Sequence, residues 1–184
     1  MKLQIIIMKI KSDSGVIGFR RIFETCVFRG CHFLERTFSD MSRRSEDHIG
    51  CLSIPGPYSS LIPSRIITPC GRGKLYVTIF EADERFSIRD CERLGFTMWG
   101  NGFVSFGLSN LIIASALNAK YSGIFPYNSW IVTPMTNFNT RRGKRDMNMI
   151  FMARRTTENG LEFGINVRGY HFYPCDRIVL LHRR

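Results

Sequence analysis

The chain has 184 residues, of which 44% are hydrophobic and 22% charged, proportions of a globular protein and not of a disordered one. Its formal charge is +11, from 26 basic residues against 15 acidic ones, and 20 of the 26 are arginine. No apolar run reaches the roughly 18–20 residues of a membrane-spanning helix, and one domain over residues 1–184 is the simplest organisation at this length.

Residues 2–11 read as a first strand, rich in isoleucine. The stretch is not a secretory signal, because Gln4 interrupts it and Lys9 and Lys11 close it. Ser12-Asp13-Ser14-Gly15 is a turn. From Val16 the spacing turns helical: Phe19, Ile22, Phe23, Cys26, Val27 and Leu34 fall near one face, with Arg20, Arg21, Glu24 and Glu35 on the other. This predicts a helix over residues 16–36, weakened by Gly30.

Residues 39–73 are irregular and read as a candidate mobile arm. Pro55, Pro57, Pro63 and Pro69, with four glycines and several serines, break any long element. Short strands are expected around residues 50–54 and 65–68, since a long structureless loop is unusual inside a domain. Residues 74–82 are a clear strand, with Leu75, Val77 and Ile79 alternating. Ser87-Ile88-Arg89-Asp90 resembles a capping box with Asp in place of Glu, and Gly95 sits where such a helix would stop. Gly100-Asn101-Gly102 between two aromatic runs predicts a hairpin joining residues 96–99 and 103–106. Ser109 caps an expected helix over residues 110–120, apolar on most sides and so buried.

Residues 130–173 form an expected antiparallel meander, and a last strand covers residues 177–181. Residues 130–138 lead to the basic tip 140–146, and residues 147–155 return. Thr157-Glu158-Asn159-Gly160 then turns the chain into residues 161–173, where Leu161, Phe163, Ile165 and Val167 alternate with Glu162, Gly164, Asn166 and Arg168. A two-residue turn at Asn159-Gly160 would set Met152 opposite Val167 and Ile150 opposite Gly169. The expected fold is therefore α+β: an antiparallel sheet of six or more strands with a C-terminal meander, and two or three helices packed on one side.

Charge is unevenly placed. Residues 1–73 carry 11 basic against 6 acidic side chains, residues 74–129 carry 5 of each, and residues 130–184 carry 10 against 4. Two basic ends around a neutral middle favour a polyanionic partner, and arginine suits phosphate because its planar fork binds bidentately. The densest point is Arg141-Arg142-Gly143-Lys144-Arg145. Four cations in five residues repel one another unless an anion sits among them; the plain alternative is a solvated hairpin tip. Arg154, Arg155 and Arg168 extend the charge along the meander. Asn166, Arg168 and Tyr170 would share its outer face, where an aromatic ring can stack a base.

Catalytic signatures are missing: there is no Gly-x-Ser-x-Gly, His-Glu-x-x-His or phosphate-binding glycine loop. Cys26-x4-Cys31 and His48-x2-Cys51 contain the ligand types of a structural zinc. On a helix, though, five residues turn about 140° and point Cys26 and Cys31 apart. No metal or cofactor is expected. The six cysteines are read as reduced thiols of a cytoplasmic or nuclear protein, since no secretory signal or glycosylation sequon accompanies them.

The leading expectation is a non-enzymatic nucleic-acid-binding protein, RNA favoured and weakly sequence-specific. Arg141, Arg142, Lys144, Arg145, Arg154, Arg155 and Arg168 would contact phosphates and Tyr170 a base. The alternative is a self-assembling viral structural protein of matrix or capsid type, a homo-oligomer with its basic face toward genome or anionic membrane. An enzyme with an unrecognised site is third.

Overall fold

The computed structural model describes residues 6–26, 48–49, 52–53, 74–104, 113–114, 117–118, 120–121, 123–142, 145–156, 161–167 and 169–183. Its first element is a hairpin of β1 (Ile7–Ser12) and β2 (Gly15–Cys26), with Ser12 opposite Gly15 and Asp13-Ser14 at the turn. The helix expected over residues 16–36 is thus a strand as far as Cys26, and residues 27–36 lie outside the described ones. β2 pairs on its other edge with β5 (Leu75–Ala82), and Ile22 is an extra residue between the pairs Arg21↔Phe80 and Phe23↔Ile79. That bulge explains the misreading. One inserted residue shifts a period-2 pattern by one step, and the broken alternation of Ile17, Phe19, Ile22 and Phe23 mimics helical spacing.

Seven longer strands lie side by side in the order β1, β2, β5, β12 (Arg177–Arg183), β8 (Trp130–Arg142), β9 (Arg145–Arg155) and β10 (Leu161–Val167). The two-residue strands β4 (Leu52–Ser53) and β3 (His48–Ile49) continue the sheet beyond β10, and β7 (Phe103–Val104) pairs with β12. The sheet is mostly antiparallel; β12 with β8 and β10 with β4 are parallel. β8, β9 and β10 form the expected meander. The short strand expected at residues 50–54 is present as β4, and the one at residues 65–68 lies outside the described residues.

β12 is central because it is apolar on both sides. Ile178, Val179, Leu180 and Leu181 are consecutive and all at most 1% exposed, the signature of a strand covered on both faces. One face, with Phe80, Ala82, Ile178, Leu180, Val132 and Met152, packs with Ile88, Cys91 and Leu94 of α1 (Ile88–Trp99). The other carries Val77, Ile79, Val179, Leu181, Ile131 and Ala153, also buried. On that side Phe23 meets Tyr121, with ring centroids 5.0 Å apart.

α1 starts as its sequence indicates. Ser87 is the N-cap, and the reciprocal bonds between Ser87 and Asp90 complete the box. β6 (Phe86–Ser87) pairs with β11 (His171–Phe172) and ties this helix start to the C-terminal region. Gly95 does not stop the helix; it makes room for a ring, since a Cβ there would lie 2.5 Å from a carbon of Phe103. The helix runs to Trp99, and Gly100, at φ 49°, ends it. The hairpin expected at Gly100-Asn101-Gly102 is a 3-10 turn that joins α1 to β7.

α1 is the one helix whose bounds fall within the described residues, so two or three helices on one side are not established there. Of the helix expected over residues 110–120, the described residues 113–114, 117–118 and 120 are helical, with Ile113, Ala114, Leu117 and Asn118 buried.

β9 and β10 pair antiparallel as expected, in a different register. Arg155 faces Leu161 and Met152 faces Gly164, so five residues connect the strands and not two. Tertiary anchors decide this. Leu161 is 1% exposed and also pairs with Leu52, while Arg155 is 5% exposed and donates from Nη1 to the Phe125 carbonyl at 2.7 Å. Once both ends are held, the register is set, and the Asn-Gly turn signal is overruled.

Candidate nucleic-acid interface

β8 leaves the sheet part-way along its length. β12 pairs with it only at Ile131 and Val132, after which β7 occupies that edge of β12. Between the pairs Val132↔Met152 and Asn137↔Ile150, β8 has four residues and β9 has one. Pro134 lies in this irregular stretch; lacking an N–H, it cannot continue a ladder, and proline in sheets is confined to edges and bulges. Beyond it the strands re-register as Asn137↔Ile150, Phe138↔Met149, Asn139↔Asn148, Thr140↔Met147, Arg141↔Asp146 and Arg142↔Arg145. β10 accompanies β9 only to Val167↔Met149. Among the described residues, the last four pairs therefore belong to a ribbon whose two strands pair only with each other.

The basic tip is the end of this ribbon. Arg141, Arg142 and Arg145 are on its last two pairs, and Gly143 and Lys144 lie outside the described residues, as does Arg168. Facing Arg142 with Arg145 sets two like charges on directly opposed positions, an arrangement that costs stability without an anion nearby.

The remaining expected contacts among the described residues are engaged by other groups of the protein. Arg154 is half-buried, 5.3 Å over the Trp130 ring, and ion-paired with Glu162 at 3.6 Å. Arg155 is buried, bonded to the Phe125 carbonyl and 4.2 Å over the Tyr127 ring. Tyr170 is half-buried edge-to-face against Phe172, with centroids 5.2 Å apart. Arg155 thus packs the fold, and Tyr170 is engaged by a core residue.

Two shallow clefts flank the β1–β2 turn. One, of about 300 Å³, is lined by Asp13, Ser87, Arg89, Gly169 and His171; the other, of about 400 Å³, includes Gly15, Val16, Glu84 and Arg85. The first holds the residue types of an acyl-transfer triad, but Ser87 Oγ donates to Asp90 Oδ2 at 2.7 Å and Asp13 pairs with Arg93 at 3.1 Å. Ser87 is used as a helix cap, so the triad chemistry is not assembled there. Burial, with Asp90 and Glu92 beside it, pushes the Cys91 thiol well above its ordinary value and leaves it protonated and unreactive. No cluster of three metal-ligand side chains occurs among the described residues. Cys26 ends a strand and not a helix, so helical geometry does not separate it from Cys31; Cys31 and Cys51 lie outside the described residues.

The sequence did not single out a polar cluster centred on His182. His182 is buried between Trp99 and Tyr76, with ring centroids 3.8 and 5.5 Å away. Its Nε2 lies 2.8 Å from Thr78 Oγ1, which donates to Glu24 Oε2 at 3.0 Å. Sheet pairing alone assembles it: Glu24↔Thr78 and His182↔Tyr76 come from three strands far apart in sequence.

No family model, curated protein or solved structure matches the chain.

Proposed function

We propose that this protein is a non-enzymatic nucleic-acid-binding protein that contacts phosphates through the basic end of the β8–β9 ribbon. The observation carrying this reading is the position of Arg141, Arg142 and Arg145 on the last two pairs of a ribbon that, among the described residues, no further strand flanks. Concentrated guanidinium at the end of a two-stranded ribbon suits contact with a polyanion. Arg154 and Arg155, which make other contacts, are left out of the interface, and Tyr170, the base-stacking residue of the RNA reading, packs against Phe172. The self-assembling alternative calls for a contiguous apolar face. Among the described residues, the exposed large apolar ones, Ile7, Val16, Phe96, Tyr127 and Tyr173, are scattered over β1, β2, α1 and two loops, which does not favour it.

The test is a filter-binding titration of the wild type and of Arg141→Ala/Arg142→Ala/Arg145→Ala across a salt series. The triple variant is expected to bind nucleic acid more weakly. Its log–log salt slope should be flatter by about 0.7 for each single-strand phosphate that is no longer neutralised, or about 0.9 on a duplex. Its melting temperature should stay nearly unchanged, since the tip adds little to the core. Unaltered affinity and slope would make the tip a solvated hairpin end and remove the main support for the reading.

A further inference from the structure

Among the described residues three aromatic side chains, Phe96, Tyr127 and Tyr173, are exposed, and they are supported differently. Phe96 meets Phe103 edge-to-face, with centroids 5.1 Å apart, and Tyr173 lies 5.2 Å from the guanidinium of the exposed Arg85. Tyr127 is 54% exposed and rests on Arg155, whose guanidinium carbon is 4.2 Å from the ring centroid and covers one face. Arg155 is itself buried and fixed, since its Nη1 donates to the carbonyl of the buried Phe125 at 2.7 Å. The outer face of the Tyr127 ring is left for a flat ligand.

The loop that carries the ring is pinned around it. The Asn128 N–H donates to the Arg155 carbonyl at 2.9 Å, with Asn128 at φ 58°, and Ser129 Oγ donates to the Pro126 carbonyl at 2.7 Å. Pro126 has a fixed φ of its own. The ring is thus presented in one orientation before any ligand arrives, which lowers the ordering cost of binding. Charge then selects the ligand. A guanidinium under the ring adds positive potential, so the face that attracts a quaternary ammonium in an isolated tyrosine repels one here. A flat π-system carried on an anionic chain is favoured instead, and an unpaired nucleobase with its phosphates is such a ligand. A base inside a duplex is stacked on both sides and has to be pulled out first.

We propose that Tyr127, backed by the Arg155 guanidinium, is a stacking platform for an unpaired base of single-stranded nucleic acid. This rests on the nucleic-acid reading above and makes its ligand a single strand. It also moves the stacking role from Tyr170, whose ring is engaged by Phe172, to the loop that precedes β8.

The experiment measures binding of the full-length protein by fluorescence anisotropy to three ligands: a single strand of about 12 nucleotides, the same strand with every base removed, and a blunt duplex. Loss of one stacked base is worth roughly five- to a hundred-and-fifty-fold in affinity. Tyr127→Ala should weaken binding of the intact strand by that factor, and Tyr127→Phe, which keeps the ring, should bind as the wild type does. Neither should alter the log–log salt slope, because no phosphate contact is lost. The abasic strand and the duplex should not distinguish Tyr127→Ala from wild type. In the unaltered protein the abasic strand should bind at least about five-fold more weakly than the intact one, a comparison that needs no variant to fold. Equal binding of intact and abasic strands by the wild type, or an unweakened Tyr127→Ala, would overturn the platform. If the arginine triple variant were still weakened, phosphate contact would stand alone. Binding to none of the three ligands would overturn both readings.

Discussion

Thr78 shows how much one hydroxyl can determine. Its Oγ1 donates to Glu24 Oε2 at 3.0 Å and lies 2.8 Å from His182 Nε2, so one hydroxyl links side chains of three strands. Asp176 is the comparable case at the start of β12. Its Oδ1 accepts from the Trp130 N–H at 2.7 Å and its Oδ2 from the Tyr173 N–H at 2.8 Å, which fastens the last turn to the first residue of β8. Burial raises its pKa from 3.8, outweighing the two backbone donors and Arg177, which act to lower it. A carboxyl whose folded value is raised contributes stability that is full below its unfolded value and declines as pH rises through the folded one. The stability difference between wild type and Asp176→Asn should therefore shrink as pH is raised from about 4, read by denaturant titration at a series of pH values. At neutral pH the asparagine has one carbonyl for two donors, so the variant should still be less stable by roughly 1–3 kcal/mol. Neither role was legible in the sequence, where Thr78 is one of many strand residues and Asp176 one turn residue after a proline.

At the scale of elements, the reading succeeded where local signals agreed and failed where a neighbour intervened. β5, β8, β9 and β12 follow from apolar, strand-compatible runs, alternating in β5 and continuous in β12, and the N-cap of α1 from Ser87 and Asp90. Gly95 was misread because a glycine that ends a helix and one that admits a ring look alike in one dimension. The difference is testable. Gly95→Ala would raise helix propensity by about 1 kcal/mol if the glycine were merely tolerated. The Phe103 ring occupies the space of the new methyl, so the variant should be less stable, by roughly 1–3 kcal/mol before that gain is counted. A melting temperature above wild type would mean that the ring moves aside freely.

At the scale of the whole molecule, the sheet has a buried centre and, among the described residues, an end where two strands pair only with each other. β5 and β12 are buried on both faces, whereas from Asn139 onward the described part of the ribbon pairs only with itself. At the other edge β1 presents exposed Lys9 and Lys11, charges that discourage pairing with a second sheet. Stability and binding should accordingly separate. Replacing residues 139–148 by a two-residue Asn-Gly turn should leave the melting temperature within about 2 °C of wild type. The shortened protein should also lose nucleic-acid binding in the anisotropy assay. Collapse of the fold would mean that the ribbon helps to hold the sheet.

By itself the sequence determined a strand-rich α+β chain, the meander, the helix cap and the place where positive charge is densest. These are local properties, set by alternation, turn chemistry and composition within a few residues. Only the tertiary structure decided the rest. It made residues 16–26 a strand, inserted β12 parallel to β8, and shifted β9 against β10 by anchoring Arg155 and Leu161. It also turned Arg155 inward and left Arg141, Arg142 and Arg145 at the end of the ribbon. Each of those outcomes depends on which distant segment comes to lie alongside, and a chain read one residue after another does not contain its neighbours across the sheet.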